Sequence, residues 1–260
     1  TPAGVKNEQR YWRDIERVLG GRTKLATVTR DEIIAMHREL SQRAPVNANR
    51  VVTSLRSALN LAVREGLLDQ NPAQYVKLNP EVSRDRYLDM TEVARLKQAL
   101  DKERDKITAV VIWLALITGA RRGELLKAKW SDIDLETGIW TKPANTTKQR
   151  KRHRLPLSPS AVSALLEIRA LSDDAEFVVP GGFETARTRL KRAWARVRKV
   201  AGIEDVRFHD LRHSHASILI SNGFGLEVVG AALGHSQAQT TLRYAHLMDS
   251  TLRKAVTLLS

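Results

Sequence analysis

The stretch from Phe208 to His246, FHDLRHSHASILISNGFGLEVVGAALGHSQAQTTLRYAH, holds the residue types that an anion site with a nucleophile requires. His209 and Arg212 are spaced to share one face of a helix. His235 follows Gly234, where an apolar run from Leu226 to Leu233 stops. Tyr244 comes next, flanked by Arg243 and His246. A guanidinium fork binds phosphate oxygens, histidines donate or carry protons near neutral pH, and a phenol attacks. Two further candidates lie upstream. Arg121 follows a long apolar run, with Glu124 one helical turn on to orient it. Lys148 sits in the basic stretch TTKQRKRHRLPL, whose Arg150, Lys151 and Arg152 read as a phosphate-tracking loop.

A metal site is the competing chemistry, since His209 and His213 stand at i, i+4. No H-E-x-x-H arrangement accompanies them, and Arg212 between them repels a cation. No metal and no other cofactor is expected. His213 and His215 read as structural.

These residues need elements to hold them. Ile107 to Thr118 is apolar on nearly every side and predicts a buried central helix ending at Gly119, with Arg121 mounted just beyond. Thr91 is the expected cap of the helix before it, running to about Lys102. Trp130 to Trp140 alternates around Glu136-Thr137-Gly138, the pattern of a hairpin or small sheet. Ser158-Pro159 starts a helix, Phe177 to Val179 predicts a short strand, and Phe183 to Val200 a very basic helix. Residues 1–80 read as all helix, with three amphipathic runs. The third carries Asn47, Asn49, Arg50, Thr53 and Arg56 on its polar face, side chains suited to phosphates and base edges. The aperiodic 81–90 is the expected linker, 91–260 the second domain, and 247–260 an apolar tail helix able to dock on a neighbouring copy. The fold class is α+β, mostly helical, in two domains.

The charge balance narrows the partner. Lys and Arg number 43 against 29 Asp and Glu, a net charge of +14 and a pI near 10.3. Such an excess selects a polyanion, and nucleic acid fits a basic surface spread over patterned helices better than a membrane does. There is no cysteine, hence no disulfide framework. No stretch is long enough to span a bilayer and no signal segment opens the chain, so a soluble cytoplasmic, nucleoid-associated protein is expected. The chain starts at Thr1 rather than Met, which leaves room for a preceding segment.

TGARRGELLKAKWSDID, TK followed by RLPL, HDLRH, LGH and YAH occur in this order. The set resembles the tyrosine recombinases, specifically the phage and genomic-island integrases. The resemblance covers about Thr91 to His246 and extends more loosely over the helical front, which is similar to the family's core-type DNA-binding domain. It implies catalytic roles for Arg121, Lys148, His209, Arg212, His235 and Tyr244, with Glu124 in support. It implies cleavage and rejoining of DNA through a 3′-phosphotyrosine, without metal or ATP, to integrate or excise a mobile element. Lys148 is then the acid for the departing 5′ oxygen. Four protomers on two duplexes are implied, with accessory DNA-bending or excision factors as compatible partners. A type IB topoisomerase-like activity, or DNA binding without chemistry, are the alternatives.

Overall fold

A computed structural model describes residues 2–21, 27–81, 84–144, 151–172, 175–235 and 237–248. The chain divides into two units, Thr1–Arg84 and Asp85–Ser260. The first is helical: α1 (Pro2–Leu19), α2 (Arg30–Arg43) and α3 (Pro45–Arg64). Thr29 caps α2 in a reciprocal box with Glu32, and Pro45 opens α3 where a missing N–H costs nothing. Ile33, Met36, Val51, Val52, Leu55 and Leu59 form its buried core.

The second unit has α4 (Met90–Asp101), α5 (Lys106–Thr118), the short α6 (Arg122–Leu125), strands β1 (Ile133–Asp134), β2 (Ile139–Lys142) and β3 (His153–Pro156), then α7 (Pro159–Leu171), α8 (Gly182–Val200), α9 (Asp210–Ser221), α10 (Leu226–Leu233) and α11 (Gln239–Leu242). The strands make one antiparallel sheet in the order β1-β2-β3, with Trp140 opposite Leu155 and Lys142 opposite His153. The fold is therefore α+β and mostly helical. Its axis is α5, whose apolar sides pack on α4, α7, α8 and α9. No described helix is long and apolar enough to cross a membrane.

Two local expectations change. Asp89, not Thr91, caps α4: its carboxylate accepts from the Glu92 amide at 2.7 Å while Glu92 returns to the Asp89 amide. Thr91 falls inside the first turn. Phe177–Val179 forms no strand; Phe177 makes only an isolated bridge with Lys129, because the Ala128 amide that would extend the ladder donates to the Leu125 carbonyl instead. The stretch 81–90 is shared out. Glu81 accepts from Asn49 and Arg50 of the first unit, whereas Leu88 is buried in the core of the second.

Candidate active site

α9 is the spine of the site. Buried Ser214 ties it down by accepting from the Leu88 amide at 2.8 Å, and its apolar face buries Leu211, Ala216 and Ile220. His209 is its cap residue and Arg212 lies in its first turn. Arg212 is only 4% exposed. Its guanidinium donates from Nη1 to the Gly119 carbonyl at 2.8 Å and from Nη2 to the Leu233 carbonyl at 2.7 Å. Those carbonyls end α5 and α10, and a left-handed glycine stands at each helix end, Gly119 at φ 61° and Gly234 at φ 65°. A Cβ on Gly119 would sit 2.7 Å from both His215 and Leu233, so only glycine lets the three elements meet there. Burial, aided by Arg121, lowers the Arg212 pKa to about 10, still charged at neutral pH.

Arg121 precedes α6 and keeps part of its guanidinium in solvent. Its Nη1 donates to Glu124 Oε1 at 2.7 Å, and its backbone amide donates to Oε2 at 3.1 Å. Glu124 is 3% exposed and also receives Lys142 Nζ at 2.9 Å. Burial pushes the Glu124 carboxyl up, but the Lys142 ammonium and Arg121 guanidinium outweigh it and hold it at about 2.

Tyr244, between α11 and the 3-10 turn Ala245–Met248, is 4% exposed and packs with Ala216, Ile220, Val229 and Leu233. Its hydroxyl shares a 2.5 Å hydrogen bond with His213 Nδ1. His213 in turn stands edge-on to His209, ring centroids 5.0 Å apart. The guanidinium of Arg243 lies 5.7 Å from the centre of the Tyr244 ring. Burial raises the phenol pKa, while Arg243 and Arg212 pull it down. His235 Nδ1 bonds the buried Thr241 hydroxyl at 2.8 Å, which fixes the ring. His213 and His235 both titrate at about 4 and His209 below its usual value, each because burial opposes charge and the arginines repel a further proton.

The structure thus gathers Arg121, Glu124, His209, Arg212, His235 and Tyr244 around α9 and its neighbours. Lys148 and Arg150 lie outside the described residues, as do 249–260 of the expected tail helix. Leu247 and Met248 pack against the Tyr244 cluster. Lys151 and Arg152 are exposed. Sequence reasoning missed three residues. His213 read as structural yet touches the phenol, Thr241 anchors His235, and Lys142 is a buried cation beside Glu124. Alternation along Ile139–Lys142 was the signal for the last, since it puts Lys142 on the buried side with Trp140.

On α3, Arg50 and Thr53 are exposed, and Asn47 accepts from Arg10 at 2.9 Å. Asn49 is a correction. It is 1% exposed, with its amide spent on His37, Asn79 and Glu81, so it braces the unit internally. Arg56 likewise folds back to donate to the Ala73 and Val76 carbonyls.

Residues 86–251 match the sequence profile of the phage integrase family. The chain is 32% identical over 210 residues to a shufflon-specific DNA recombinase of Escherichia coli, covering 78% of this chain and 52% of that protein. It is 29% identical over 213 residues to the integrase of Salmonella phage P22, covering 76% and 53%. With tyrosine recombinase XerC of Yersinia pestis it shares 30% over 225 residues, 80% of this chain and 71% of that one. The chain spans about half the length of the first two relatives. A lambda integrase dimer bound to a COC′ core site superposes with TM-score 0.78 over 96% of this chain and 89% of that one at 21% identity. A lambda integrase tetramer bound to a Holliday junction gives 0.74 over 92% and 73% at 22% identity. At these identities the structural likeness speaks for the fold, while the profile match runs unbroken from the start of α4 past Tyr244. The chain belongs to the phage integrase family, the tyrosine recombinases.

Proposed function

We propose that the chain is the DNA-cutting and DNA-joining part of a site-specific recombinase acting through a 3′-phosphotyrosine. The observation that carries this reading is the buried phenol of Tyr244, hydrogen-bonded to α9 one residue from the buried guanidinium of Arg212. A partly exposed Arg121, braced by Glu124, supplies a second cation for the same phosphate.

Attack by a phenol on a phosphodiester builds negative charge on the nonbridging oxygens, and cations held there favour the transition state over the ground state. The Tyr244 Oη–P bond forms as the P–O5′ bond breaks. The phenol passes its proton along its hydrogen bond to His213 Nδ1, and the 5′ oxygen takes one, with Lys148 as its donor. His209 and His235 stay neutral near pH 7 and serve as hydrogen-bond donors to the phosphate. The ester preserves the energy of the broken bond, so a 5′ hydroxyl from the same or another duplex reverses the step without ATP. Exposed Arg50, Thr53, Lys151 and Arg152 are assigned to the DNA backbone. Assembly is as a tetramer on paired duplexes, integrating or excising a mobile element, with accessory DNA-bending factors.

Nicked suicide duplexes that lose the 5′ fragment test the reading. Native protein should accumulate a covalent adduct, in excess EDTA as well as without it, because the arginines do the electrostatic work. Tyr244→Phe should bind the same duplex within about threefold and yield no adduct. An undiminished adduct from the variant would reassign the nucleophile, and cleavage abolished by EDTA would reject the cation-only mechanism.

A further inference from the structure

The sequence motifs leave Lys142 without a role, yet it is among the largest fully buried side chains in the protein. It ends β2, directly before the connection that carries Lys148. Its ammonium lies 2.9 Å from Glu124 Oε2 and 4.6 Å from the centre of the Trp140 ring. Keeping an ammonium and a carboxylate out of water is costly, and a purely structural site is served as well or better by apolar side chains. The division of the Glu124 carboxylate explains the expense. Oε1 takes the Arg121 guanidinium, while Oε2 takes both Lys142 and the Arg121 backbone amide.

We propose that Lys142 is a positioning residue for the phosphate site: by holding Glu124 ionised and immobile, it fixes the orientation of the Arg121 guanidinium. The inference rests on the reading of Arg121 as a phosphate ligand. Lys142 itself has 1% exposure and is closed to solvent. Among the described residues, four groups face the Glu124 carboxylate electrostatically: Lys142 from β2, Arg121 at the start of its own helix, Arg212 from α9 and His153 from β3. Lys142 and Arg121 hold its charge by direct contact. Removing Lys142 leaves a buried carboxyl with one partner, and burial then raises its pKa towards the working range. Below that value Glu124 is protonated and loses its grip on Arg121.

The test uses the full chain and the suicide duplex, with single-turnover adduct rates measured from about pH 6 to about pH 9. Lys142→Met should slow adduct formation roughly 10- to 100-fold at neutral pH and regain rate as pH rises, with affinity for uncut duplex nearly unchanged. Glu124→Gln should be slow at every pH. Lys142→Met combined with Glu124→Gln should be no slower than Glu124→Gln alone, because Lys142 acts through that carboxylate. The double variant removes the buried ammonium and the buried carboxylate together, so it keeps the test open if Lys142→Met does not fold. A double-variant rate equal to the product of the two single losses, or a Lys142→Met rate and pH profile like the native one, overturns the inference. Tyr244→Phe run alongside separates the two readings: an adduct there sinks the proposed function, whereas its absence with an indifferent Lys142→Met sinks only the positioning role.

Discussion

Arg212 carries the strictest geometric demand of any side chain in the site. Its two terminal nitrogens bridge carbonyls from different helices, so the fork is aimed before any substrate arrives. Lysine at this position keeps a charge but cannot span both carbonyls. Arg212→Lys should therefore cut the single-turnover adduct rate by roughly 100-fold or more while leaving duplex affinity within a few fold. A rate within threefold of native would show that charge without orientation is enough. The order of Arg121, His209, Arg212, His235 and Tyr244 was legible because those residues sit in short motifs. His213, Thr241 and Lys142 were not, because their roles depend on partners that only the fold turns towards them: Tyr244, His235 and Glu124. Asn49 failed for the opposite reason. A helix face defined by spacing says which residues lie together, not whether another segment covers them, and residues 79–81 cover this one.

The elements that aim these groups are joined at a few tight places. Gly119 is the tightest, with a positive φ and no room for a methyl group against His215 and Leu233. Gly119→Ala should cost roughly 1–3 kcal/mol in urea unfolding and slow adduct formation by shifting the carbonyl that holds Arg212. Unchanged stability would mean the junction relaxes more easily than its packing implies. α9 also makes the protein acid-sensitive. His215 donates to the Leu116 carbonyl, but its burial dominates and lowers its pKa from 6.5 to about 4. The unfolded chain therefore binds a proton that the folded one refuses, so stability is full above 6.5 and falls as pH drops towards about 4. His215→Gln should recover roughly 2–4 kcal/mol of the difference in unfolding free energy between those two pH values. An equally steep loss in the variant would assign the acid sensitivity elsewhere. Helix positions were largely readable, since α5 and α10 stop at glycines and α7 starts at Ser158-Pro159. Errors came where two signals competed, as at Asp89 and Thr91, or where the partner of a β-like run was already committed, as the Ala128 amide is to the Leu125 carbonyl beside Phe177–Val179.

Across the whole chain, a net charge of +14 is suited to drawing a polyanion to the surface. Duplex affinity should fall by roughly 10³-fold or more between about 50 and about 200 mM salt if several phosphates are neutralised. A flat response would mean that phosphate contacts are not what holds the complex. In the proposed function, charge brings DNA to the protein, while the linkage to be cut is taken over by the phenol hydrogen-bonded to α9. The most direct measurement is therefore mass spectrometry of the peptide left attached to DNA after trapping on a suicide duplex. Among the 4 tyrosines of the chain, Tyr244 alone should carry the nucleotide, joined through a 3′ phosphate. A nucleotide found on any other residue, or linked through a 5′ phosphate, would contradict the account.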